Sequence, residues 1–140
     1  MNPTIVRLQE AIVTALAGTI PEPWERIVVN YEMQEKETGL AHDRLAFYIA
    51  RDAAGNFRDV DLKIKPPVRD LFTQMNDEFQ RSVGQRWGIC DLVVDPPGRF
   101  RFDFSYDPPK RLNGVFDEQS YDRFNTAKYL ETFKAERARA

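Results

Sequence analysis

Residues that usually carry chemistry are scarce in this chain. Of its 140 residues, one is cysteine (Cys90) and one is histidine (His42). A lone cysteine excludes an internal disulfide, and without a Cys/His cluster nothing offers structural zinc its ligands. No apolar run approaches the ~20 residues of a membrane span. The opening Met1-Asn2-Pro3-Thr4 has no basic stretch ahead of an apolar one, so no secretory signal is expected. The seven glycines never form G-x-G-x-x-G or G-x-x-x-x-G-K, which leaves nucleotide phosphates without a cradle. An excess of one charge is missing too: 20 Lys and Arg stand against 22 Asp and Glu, a net −2. General nucleic-acid binding needs a basic footprint and is argued against. The expectation is a cytoplasmic protein with no metal, no cofactor, no nucleic-acid partner and no membrane partner.

What is present suffices for a single domain over residues 1–140. Apolar residues make up 42% and aromatics 12%, with ten Phe to fill a core. A chain of this length buries roughly 68–70% of its unfolded surface, enough without covalent staples. Asn2 as cap and Pro3 as first residue open a helix whose Ile5, Leu8, Ile12, Ala15 and Leu16 share a stripe. Gly18 and Pro21-Glu22-Pro23 end it. Ile27, Val29, Tyr31 and Met33 then alternate with Val28, Asn30 and Glu32, the period of a half-buried strand. Leu45, Phe47 and Ile49 alternate again, and Phe57–Ile64 supplies a third strand beyond the Asp52–Asn56 turn. A meander with one buried and one wet face is predicted.

Pro66-Pro67 opens a second helix, with Val68, Leu71, Phe72, Met75 and Phe79 on one side and Gly84 at its end. Strands follow over Trp87–Val94 and Phe100–Ser105, joined by Asp95-Pro96-Pro97-Gly98. In the last strand Phe100, Phe102 and Phe104 oppose Arg99, Arg101 and Asp103. A final helix is expected from about Asp117, with Tyr121, Phe124, Lys128, Leu130 and Phe133 near one side and residues 135–140 frayed. The order α-β-β-β-α-β-β-α defines an α+β domain, a mainly antiparallel sheet packed by helices. Trp24, Phe47, Phe72, Phe79, Trp87, Phe102 and Phe104 are the expected large core residues.

Candidate chemistry is thin. His42 has no Ser or Cys at motif spacing, and Cys90 lies inside an apolar strand, where a thiol is a small core filler. Asp59 and Asp61, two apart on a strand, share a face and would suit a divalent ion only with further ligands. An enzyme or ligand-binding domain built on His42 and this pair is the alternative reading, and a general interaction adaptor is another. Arg99 and Arg101 lie opposite the aromatics of their strand, so salt links with nearby Asp fit better than single-stranded nucleic acid.

Acidic groups cluster locally. Residues 91–122 hold seven acids against four bases, and residues 22–37 hold five against two, each three negative. Such patches attract basic partners and speed encounter.

Several motifs then converge. Trp87-Gly88-Ile89-Cys90-Asp91-Leu92-Val93-Val94 is followed by a turn and Gly98-Arg99-Phe100-Arg101-Phe102-Asp103-Phe104-Ser105-Tyr106-Asp107. An early Pro21-Glu22-Pro23-Trp24-Glu25-Arg26-Ile27 leads into the first strand, and Phe47-Tyr48 pairs aromatics in the second. In these features, over most of its length, the chain resembles the YezG-like immunity proteins of bacterial polymorphic-toxin systems. It departs from them in Pro96-Pro97 and Pro108-Pro109. The resemblance implies an immunity-protein domain that binds and neutralises a cognate toxin, often a nuclease, and it carries over no catalytic residue. A nuclease site is basic, and acidic side chains can fill it. If the partner is a basic toxin, the surface expected to meet it holds Asp103, Tyr106, Asp107, Asp117 and Glu118.

Overall fold

The computed structural model describes residues 2–116 and 125–139. Helix α1 (Pro3–Gly18) starts as expected: the Asn2 side-chain oxygen accepts the Ile5 N–H at 2.8 Å, and Pro3 needs no partner at the first position. Three strands follow, β1 (Arg26–Lys36), β2 (Gly39–Arg51) and β3 (Phe57–Asp61), then α2 (Pro66–Val83). β4 (Ile89–Asp95), β5 (Arg99–Ser105), a 3-10 turn at Arg111–Asn113 and α3 (Thr126–Arg139) complete the described chain. The sheet order is β3-β2-β1-β4-β5, every neighbour antiparallel, so the domain is α+β in the expected element order.

α1 and α2 cover one face. Ile5, Ile12 and Leu16 of α1 and Val68, Phe72, Met75 and Phe79 of α2 bury against Ile27, Val29, Tyr31, Met33, Cys90, Leu92 and Val94. Tyr31 is the hub: it stacks on Phe72 at 4.3 Å and meets Trp87 edge-on at 6.3 Å. Burying aromatics of this size supplies much of the driving force.

The second face departs from expectation. β1 is buried from residue 27 to residue 33 on both sides, not on one. At one end α3 seats Leu130 and Phe133 on Val28, Phe47 and Ile49. Arg26 locks that end, donating to both Asp95 oxygens at 2.7 and 3.1 Å and to the Tyr129 hydroxyl at 3.3 Å. At the other end the segment after β5 lies over Asn30 and Glu32. The central strand is therefore sandwiched, while the wet positions belong to the edges.

Three other expectations are refined. The stretch Gln34–Gly39, whose polar composition fits a turn, is mostly strand, because β1 and β2 pair all the way to Lys36 and Gly39. Phe47, Phe72, Phe79 and Trp87 are fully buried as expected, whereas Trp24, Phe102 and Phe104 are half-buried. Phe102 and Phe104 do face the helices, but among the described residues β5 has a neighbouring strand on one side only. The last helix is described from Thr126 and stays helical to Arg139, where Arg137 donates to Glu25 at 3.0 Å; its expected start at Asp117, with Tyr121 and Phe124, lies outside the described residues.

Candidate protein-binding surface

One buried carboxylate organises the segment that follows β5. Glu32, only 2% exposed, takes the Leu112 N–H on one oxygen (3.0 Å) and the Arg111 N–H on the other (3.2 Å). The Arg111 guanidinium lies against the same carboxylate at 3.4 Å and donates to Asp43 at 2.6 Å. Asp43 is the cross-strand partner of Glu32, so β1 and β2 present two carboxylates to one arginine. Asn113 adds a bond to Gln34 at 3.1 Å. A buried charge persists only when paired and hydrogen-bonded, and here both conditions are met by the loop itself.

The same segment is fixed where it leaves the sheet. Gly88 donates to the Ser105 carbonyl at 2.9 Å and accepts from Met33 at 3.0 Å. A Cβ on Gly88 would stand 2.4 Å from the Asp107 carbonyl oxygen and 3.2 Å from the Pro109 ring. Only glycine permits that approach, and Pro109 is buried beside it. Between these two anchors the chain turns a corner that carries Tyr106 and Asp107. Tyr106 is 43% exposed and lines a shallow recess with Asn2, Ile5, Phe79, Ser82 and Val83. Asp107 is exposed, its N–H bonded to the Ser105 hydroxyl at 3.2 Å.

Not all the residues expected to meet a partner come together. Tyr106 and Asp107 share the corner. Asp103 lies on the other side of β5, opposite Asp91 in the register, and pairs with Arg101 at 3.0 Å. Asp117 and Glu118 lie outside the described residues. Several of the acidic groups in 22–37, and Asp95 of the second segment, are matched by arginines elsewhere in the fold. Glu22 binds Arg58 and Tyr48, Glu25 binds Arg137, Glu35 binds Arg86 at 2.8 Å, and Asp95 binds Arg26. The Tyr48 hydroxyl and then Arg58 hold the Glu22 carboxyl below its usual range.

The alternative candidates stay apart. His42 faces the helices, where its Nδ1 lies 3.1 Å from the Tyr31 hydroxyl. Burial, then Arg44 and Arg69, lower its pKa, and burial raises that of Tyr31 to about 12. Both shifts favour the uncharged forms, a neutral imidazole beside a protonated phenol. Asp59 and Asp61 do share a face, but both are exposed on β3, and no metal-competent cluster occurs among the described residues. Cys90 is fully buried, and desolvation pushes its thiol well up, which disfavours the nucleophilic thiolate.

Sequence reasoning missed Glu32, Arg111 and the buried pair Asn30–Asp91, joined at 2.7 Å. The available signal was the polar pair Asn30 and Glu32 inside an otherwise apolar strand, which reads equally as a wet face. No helix among the described residues is long and apolar enough to cross a membrane. In comparisons with known proteins, no family model and no curated protein matches the chain.

Proposed function

We propose that the protein is an immunity protein that binds and neutralises a cognate bacterial toxin, through a surface centred on the Tyr106–Asp107 corner. The observation that carries the reading is the anchoring of that corner. Glu32, Arg111 and Gly88 hold the backbone on both sides of an outward aromatic ring and a carboxylate. An amphipathic ring held on a pre-set backbone loses little conformational freedom on binding, which is how interface anchors gain their energy. A carboxylate beside it can accept paired hydrogen bonds from Arg or Lys of a basic partner, as in a nuclease cleft. The motif resemblance to YezG-like proteins points the same way, toward occlusion of a toxin and action in the cytoplasm.

The test is co-expression with the product of the neighbouring open reading frame, scored by growth rescue and co-purification. Tyr106→Ala should weaken binding by about tenfold or more, as expected for a central anchor. Joint charge reversal at Asp107, Asp117 and Glu118 should slow association, and the effect should shrink as salt rises. Wild-type association by the triple variant in low salt would place the interface elsewhere.

A further inference from the structure

The two edges of the sheet are not alike. The Met33 N–H bonds to the Gly88 carbonyl, which continues the antiparallel register Ile27↔Val94, Val29↔Leu92 and Tyr31↔Cys90, so residues 90, 92 and 94 direct their backbone groups toward β1, while the Gly88 N–H already turns to Ser105. Residues 89, 91, 93 and 95 of β4 then bond β5, through 105, 103, 101 and 99. The N–H and C=O groups of Phe100, Phe102 and Phe104 consequently point away from the sheet along an edge that no strand among the described residues covers. On the opposite edge the outward groups belong to Phe57, Asp59 and Asp61, a short strand guarded by two carboxylates. β5 has no proline to block a further strand, and its side chains alternate half-buried Phe with Arg99, Arg101 and Asp103.

We propose that β5 is a homodimerisation edge, which pairs antiparallel with β5 of a second copy about a two-fold axis at Phe102. The charge pattern argues for a second copy in this register. Centring the pair on Phe102 sets Arg101 opposite the second copy's Asp103, and Asp103 opposite its Arg101. Moving the axis to Arg101 sets Arg101 against itself, and moving it to Asp103 sets Asp103 against itself. Both alternatives place like charges at directly facing positions, which destabilises. The Phe102-centred register also aligns the free backbone groups, since Phe100, Phe102 and Phe104 meet Phe104, Phe102 and Phe100 as hydrogen-bonded pairs. Arg101 and Asp103 then form the closer non-bonded pairs; their side chains, 74% and 52% exposed, pair with each other at 3.0 Å in the single chain and would exchange that exposed pair for the one across the axis. On the helix side the edge-to-face and stacked series Phe100, Phe102 and Phe104 would continue across the axis. One strand edge is a small interface, so the dimer should be reversible and concentration-dependent.

Sedimentation velocity from micromolar to millimolar protein tests this. Wild type should pass from monomer to dimer over that range. Arg101→Asp alone and Asp103→Arg alone should each weaken the dimer about tenfold, because both symmetric pairs become repulsive. The double variant Arg101→Asp/Asp103→Arg should restore it, and an equimolar mixture of the two single variants should form heterodimer. Phe102→Pro, which removes an N–H that makes no bond within the sheet, should abolish association while circular dichroism reports a folded monomer. A wild-type monomer throughout the range, or a dimer indifferent to the charge exchange, would overturn the proposal. So would a monomeric wild type whose capture of the toxin is lost in Phe102→Pro, since the edge would then serve the partner.

Discussion

Glu32 and Arg111, 79 residues apart in sequence, meet beneath the loop that follows β5: the Glu32 carboxylate takes the Arg111 N–H at 3.2 Å and its guanidinium at 3.4 Å. Both side chains are at least nine-tenths buried, at 3% and 10% exposed. Backbone and side chain of one residue thus answer the same buried charge, which ties the loop's path to the register of β1.

Breaking that pair should be costly. Arg111→Met leaves Glu32 and Asp43 facing each other without a cation, and about 3–5 kcal/mol of stability should be lost in urea unfolding. Replacing both members by apolar residues should recover part of the loss, because no buried charge is then left unpaired. If Arg111→Met unfolds at the wild-type midpoint, the pair does not hold the loop.

Gly88→Ala should displace the corner. The added methyl collides with the Asp107 carbonyl, a backbone atom that cannot rotate aside. A loss of about 1–3 kcal/mol is expected, together with weaker partner binding, since Tyr106 and Asp107 move with the backbone. Amide exchange of residues near 105–110 should rise in the variant, and unchanged protection there would contradict the close approach.

Core truncations should rank by burial. Phe72→Ala removes a fully buried ring stacked on Tyr31 and should cost about 3–5 kcal/mol. Phe102→Ala, at the half-exposed edge, should cost distinctly less, about 1–2 kcal/mol, because less area returns to water. Equal losses would mean that β5 is covered in the monomer.

His42 should shape the acid limb of the stability curve. Burial, Arg44 and Arg69 depress its folded pKa, so the unfolded chain binds the proton first as pH falls. The contribution is full above the unfolded value of about 6.5 and is lost as pH falls through the lower folded value. His42→Gln, which keeps a polar partner for Tyr31, should lose less stability than wild type between about pH 7 and 5. Parallel curves for the two proteins would show that the ring titrates alike in both states.

The amino-acid sequence by itself determined the elements and which face of each strand is apolar, because those follow from local periodicity. Asn2 and Pro3 mark the start of α1, Pro66-Pro67 that of α2, and the alternation of β5 separates Phe100, Phe102 and Phe104 from Arg99, Arg101 and Asp103. Burial of the second face of β1 was not legible, since Val28, Asn30 and Glu32 alternate just as a wet face would. Only the tertiary structure brings Leu130 and Phe133 to one end of that face and Arg111 to the other. It also decided that Glu22, Glu25, Glu35 and Asp95 are matched by arginines distant in sequence, and that Asp103 and Tyr106 lie on opposite sides of β5. Periodicity is a property of neighbours along the chain, whereas pairing of charges and covering of faces depend on which distant segments the sheet order brings together.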